Sequence, residues 1–93
     1  MGLHEEAAVS DERGARQWSD ADGRHIDVRG LPPPQPLVAI LRLIDATPTL
    51  RVLIVHHDRD PMLLYPELAE RDWAAERVAG APGEVRLRLQ PLA

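Results

Sequence analysis

A chain of 93 residues, 44% of them hydrophobic, holds one small domain and a single modest core. Cysteine is absent, which excludes disulfides, thiolate metal sites, persulfide carriage and a thiol nucleophile. The net charge of −4 argues against general nucleic-acid binding, and two Trp, one Tyr and no Phe are too few for an RNA-stacking platform. No apolar run reaches the length of a membrane span, and the start Met1-Gly2-Leu3-His4 lacks the basic and apolar blocks of a signal peptide, so the expected compartment is the cytoplasm.

Residues 1–24 read as a flexible acidic tail. Glu5, Glu6, Asp11, Glu12, Asp20 and Asp22 oppose Arg13, Arg16 and Arg24, six charges against three, and the apolar residues show no sustained period. Trp18 is the exception, a residue with a use on the domain or on a partner. From His25 the pattern sharpens into a domain spanning 25–93. His25-Ile26-Asp27-Val28-Arg29 alternates as a strand does, and Gly30 ends it.

From Pro34 to Ala46, Leu37, Ile40, Leu41 and Ile44 recur at helical spacing, and Thr47-Pro48 stops the helix. Leu50 to His57 is a nearly continuous run of Leu and β-branched residues, as in an inner strand. Asp60-Pro61 predicts a second helix, with Asp60 as N-cap and Pro61 at the first helical position. Met62, Leu64, Leu68 and Ala69 would face inward, and Pro66 would tighten or kink it. Trp73 to Val78 reads as a third strand, 80–83 as a turn, and Glu84 to Gln90 alternates cleanly as a fourth strand.

The order β-α-β-α-β-β predicts an α/β (α+β) two-layer sandwich. A helix joins the first two strands, which makes them parallel, and the last two form an antiparallel hairpin. Both helices then cover one face of a four-stranded mixed sheet.

Gly30-Leu31-Pro32-Pro33-Pro34-Gln35-Pro36 stands between the first strand and first helix. It resembles the Gly-Leu-x-Cys-Pro-x-Pro motif of the TusA/SirA-like sulfur carriers, with Pro33 in the place of the cysteine. Together with the run His57-Asp58-Arg59-Asp60-Pro61-Met62-Leu63-Leu64-Tyr65-Pro66-Glu67-Leu68, the chain looks closer to a sister family known only as a domain of unknown function (DUF 2249). The resemblance covers residues 25–90. It implies the sandwich fold and weak links to redox and nitrogen-oxide systems. The prolines supply a rigid entry to the helix, since Pro has no N–H to lose in a first turn. The missing cysteine excludes sulfur transfer by this chain's own side chains.

Three candidate sites follow. At the C-terminal edge of the parallel strands, Arg29, Pro33, Pro34, His57, Arg59 and Tyr65 frame a place for a small anion or an acidic partner near two helix N-termini. A metal reading uses His56, His57 and Asp58, with His25 or Asp27 as further ligands. It is weaker, because neighbouring residues on a strand point to opposite faces. Finally, placing Arg51 on the uncovered sheet face would bring Leu53 and Val55 there, rimmed by Arg51, Arg86 and Arg88. That strip would serve a homodimer, a protein partner or the tail docking through Trp18.

No nucleophile with a positioned base, phosphate loop or carboxylate pair is present, so the sequence argues against an enzyme and names no cofactor. The favoured reading is a non-catalytic binding or accessory module. The alternative is a metal- or cofactor-linked accessory protein using the His56–Asp60 loop.

Overall fold

The computed structural model describes Val9–Ser10 and residues 15–92. Its elements run β1 (Val9–Ser10), β2 (Arg16–Asp20), β3 (Gly23–Asp27), α1 (Gln35–Ala46), β4 (Leu53–His57), α2 (Leu64–Glu70), β5 (Trp73–Val78) and β6 (Val85–Pro91). The strands form one mixed sheet in the order β1-β2-β3-β4-β6-β5. β3 and β4 pair in parallel through α1, while β4 with β6 and β5 with β6 are antiparallel. The α+β class and the helix-joined parallel pair are those the sequence predicted. No helix among the described residues is long and apolar enough to cross a membrane.

The strand count is corrected from four to six. The two additional strands fall inside the segment expected to be a flexible tail, of which residues 1–8 and 11–14 lie outside the described residues. β2 pairs antiparallel with β3 from Arg16↔Asp27 to Asp20↔Gly23. The Asp20 carboxylate accepts the Asp22 N–H at 2.8 Å across the turn, and Gly23 follows at φ +132°. The sequence Arg16-Gln17-Trp18-Ser19-Asp20 has one apolar residue and so no visible period. Its strand form comes from hydrogen bonding to β3, which composition does not record.

Both helices pack on one face. Ile26, Val28, Leu53, Val55, Leu87 and Leu89 meet Ala39, Ile40, Leu43, Ile44, Leu64 and Leu68 in a single core. α1 turns Ala39 and Leu43 inward beside Ile40 and Ile44, so Leu37 and Leu41 of the predicted stripe sit at its margin. α2 starts later than predicted. Asp60 is not its cap: residues 61–63 make a turn, and the Leu64 N–H donates to the Pro61 carbonyl at 2.9 Å. Pro66 therefore lies in the first helical turn, where no intrahelical N–H is required, and Met62 and Ala69 are exposed. Arg71 ties the helices together through Asp45 of α1 and Glu67 of α2, both at 2.9 Å.

The two faces of β4 are the reverse of the expected assignment. Leu53 and Val55 are 0% exposed in the helix-covered core, so the apolar strip expected on the open face does not exist. Arg51, which suggested the opposite assignment, precedes β4 and leaves its side chain exposed outside the strand's alternation. Ile54 and His56 take the open face instead, opposite Arg88 and Arg86 of β6. Arg86 and Arg88 point outward as expected, but they border a polar network and no exposed leucines.

Candidate functional site: a groove at the strand C-terminal edge

β3 and β4 end side by side, and the chain leaves each toward a helix. After β3 the backbone turns at Gly30, whose φ of +83° a side-chain-bearing residue rarely adopts. The Gly30 N–H donates to the Asp58 carboxylate at 2.9 Å, which joins the two loops. That N–H is the main cause holding the Asp58 carboxyl below its usual range. The proline segment then enters α1 with Pro34 as N-cap and a proline in the first turn.

Between the two loops lies a groove of about 230 Å³. Pro33, Pro34, His57 and Arg59, four of the six residues expected at this edge, line it. The groove also takes Leu31, Pro36, Leu37, Met62, Leu63 and Leu64, which sequence reasoning missed, and Asp60 and Pro61, which it had read as the start of a helix. Met62 and Leu63 are 66% and 74% exposed at its rim. A large exposed apolar pair beside a loop was the signal available, but apolar letters next to a predicted helix read as core.

Arg29 and Tyr65 do not line the groove. Arg29 is held by Asp27 in a two-pronged pair at 2.9 and 2.8 Å, which raises its pKa further. Burial pushes the Asp27 carboxyl up, yet the bonds from Arg29 outweigh it and leave Asp27 below its usual range. The Tyr65 hydroxyl donates to Asp60 at 2.5 Å, and burial together with that carboxylate pushes it up to about 12. Arg59 is exposed and 3.4 Å from Asp58.

His57 is the polar centre of the groove. It ends β4 and is 3% exposed. Its Nδ1 accepts the backbone N–H groups of Asp58 at 2.9 Å and Arg59 at 3.3 Å. Backbone amides can only donate, so Nδ1 carries a lone pair and the ring proton sits on Nε2. The Asp58 carboxylate oxygen 3.2 Å from Nδ1 belongs to the same turn. Nε2 has no hydrogen-bond partner among the described residues. It is the one N–H that this buried ring can offer to an occupant of the groove.

Helix N-termini contribute little here. In α1, Gln35 N–H is spent on the Pro32 carbonyl, Val38 N–H on Pro34, and Pro36 has none. α2 is only seven residues long. The metal reading at His56, His57 and Asp58 also fails on geometry. His57 faces the groove, while His56 faces the other side, bonded to Glu84 and His25. Among the described residues, Asp20, Asp22 and His25 do lie within ligand distance of one another. Both ring nitrogens of His25 are already hydrogen-bonded, however, so we assign no metal there.

Fold and groove together define a two-layer α/β protein with an apolar cleft at the C-terminal ends of its parallel strands, floored by one imidazole N–H. Residues 25–91 match the family described as an uncharacterized conserved protein (DUF2249), and the chain belongs to that family. No curated protein and no solved structure matches the chain. The family match begins at His25, so β1 and β2, with Trp18, precede it.

Proposed function

We propose that the protein is a non-catalytic binding module whose groove takes a small organic carboxylate with an alkyl body, presented free or by an acidic partner. The observation that carries this reading is the Nε2–H of His57, which has no protein partner among the described residues and opens into a cleft that is apolar apart from Arg59 and Asp60 at its rim. Apolar walls stabilise an alkyl body, the free N–H can donate to a carboxylate, and exposed Arg59, shared with Asp58, adds positive charge at the rim. A bare inorganic anion suits the site less well, because the Gln35 N–H is occupied, Pro36 has none and Arg29 is paired. We also infer kinship with the TusA/SirA-like sulfur carriers. The supports are the shared element order and the Gly30-Leu31…Pro34-Gln35-Pro36 helix entry, with Pro33 where they place their cysteine.

Titration with hexanoate, hexanamide and phosphate, followed by NMR, tests the reading. Hexanoate should shift the His57 ring and the amides of residues 58–64 together in the millimolar range, ahead of both other probes. Arg59→Ala should remove the advantage of hexanoate over hexanamide, and His57→Phe should lose the response to both. No groove response to hexanoate, or a stronger one to phosphate, would overturn it.

A further inference from the structure

The sheet face without helices carries a second arrangement, independent of the groove. Four side chains, buried His25, His56 and Glu84 and exposed Asp20, join in one line across β2, β3, β4 and the residue before β6. Asp20 Oδ1 lies 2.9 Å from His25 Nε2, His25 Nδ1 lies 2.8 Å from His56 Nε2, and His56 Nδ1 lies 2.6 Å from Glu84 Oε2. Each histidine is only 6% exposed. Trp18 covers them, its ring stacked on His25 at 4.9 Å and tilted over His56 at 5.1 Å. The Arg16 guanidinium lies over that indole, 5.7 Å from its centre.

Asp20 also accepts the Asp22 N–H, and Glu84 also accepts the Ala81 N–H and two bonds from Arg86. Both carboxyls are therefore ionised acceptors, and each outward ring nitrogen must donate to its carboxylate. The central nitrogens, 2.8 Å apart, can then hold one proton between them. None would set two lone pairs against each other, and two would set N–H against N–H. We propose that His25 and His56 share a single proton, and that this proton clasps the β2–β3 hairpin and Trp18 onto the open face of the sheet, releasing them when a second one binds. With one proton shared, the pair's single positive charge and that of Arg86 balance Asp20 and Glu84.

The surroundings fix the direction of the response. Asp20 faces the pair from β2, Asp27 stands opposite His56 on β3, and Glu84 and Arg86 approach from β6. Arg88 shares the adjoining hollow with His25, Asp22 and Arg29 act on this group through Arg86 and Glu84, and Arg16 sits beyond Trp18. A second proton would add an unbalanced charge under the indole and break the central bond. Burial, with Arg86 and His25, already holds His56 below the usual histidine range despite the pull of Glu84. The clasp is closed at neutral pH and opens as pH falls.

Long-range proton–nitrogen NMR on the intact chain tests the count. Three protonated ring nitrogens among the four of His25 and His56 are expected at pH ~7; two or four would overturn the proposal. Amide exchange then tests the clasp. Between neutrality and pH ~5, exchange of the β2 amides, corrected for intrinsic rate, should rise roughly tenfold, the factor that one pKa unit carries. The amides of Val55 and Leu87 should hold. Hairpin exchange that tracks the core at every pH would overturn it. His25→Asn, which removes the shared proton, should abolish the acid step and leave β2 exchanging fast throughout; an acid step that persists would count against the clasp. Should that variant not fold, the pH series on the parent decides alone.

Discussion

His56 and His57 are neighbours in the chain and end on opposite faces of β4, where burial is achieved by different means. On the helix side Leu53 and Val55 are covered by α1 and α2, and each such side chain contributes about 1.5–3 kcal/mol through removal from water. On the open side Trp18, His25, His56, Glu84 and Arg86 form a polar line. Among the described residues, no buried side-chain nitrogen or oxygen lacks a partner. A dry face responds to volume and to inserted charge. A satisfied polar face responds to protonation and to the loss of any one member, since the others are then buried unpaired. The molecule therefore joins two layers of unlike sensitivity through one strand.

The largest effect should come from Leu53→Asp, which places a carboxylate in the dry face. It should cost more than about 4 kcal/mol in urea unfolding or abolish folding, whereas Arg88→Ala on the outer face should stay within about 0.5 kcal/mol. Tolerance of aspartate at position 53 would reverse the face assignment again.

Next comes Glu84→Ala, which strips His56 and Arg86 of a carboxylate buried with them and should cost roughly 3 kcal/mol. The bonds from Arg86, helped by the Ala81 N–H and His56, hold Glu84 down at about 2, against a reference value of 4.5. Its contribution is thus complete above pH 4.5 and lost as pH falls toward 2. In Glu84→Gln the acid decline across that window should flatten, read from unfolding midpoints against pH.

His56 adds a second slope at higher pH. Its depressed folded value means that the unfolded chain binds the proton first, so stability should fall as pH drops below ~6.5. His56→Leu should remove this slope while leaving the Glu84 window; a slope that survives would place its origin elsewhere.

Smaller effects sharpen the comparison at the groove and helix layer. Gly30→Ala should cost about 1–2 kcal/mol from backbone conformation alone, because a Cβ there meets nothing within 4 Å. Arg71→Ala should cost about 1 kcal/mol or less, since its pairs with Asp45 and Glu67 are partly in water. Thermal unfolding of both variants checks the ranking.

Much of the site was legible for a physical reason. A polar run directly after a core strand, His57-Asp58-Arg59-Asp60, must emerge at a sheet edge, and the prolines before α1 mark the facing loop. Leu31, Met62 and Leu63 were not legible as groove lining, because an apolar letter does not say whether it is buried or lines a cleft. The open-face line was less legible still. Asp20, His25, His56 and Glu84 are scattered over the chain, and only strand pairing brings them into contact.

By itself the sequence determined the order of the elements from His25 onward, because local periodicity and breakers such as Gly30 and Thr47-Pro48 act over a few residues. It also determined that no thiol stands at the helix entry, where Pro33 does. The tertiary structure decided which face of β4 meets the helices. Side-chain alternation holds only within the paired strand, and Arg51, the residue that suggested the opposite, lies outside it. It decided as well that residues 16–20 form a strand. Their stabilisation comes from backbone bonds to β3 and from Trp18 lying on His25, contacts between segments that no single stretch of sequence encodes.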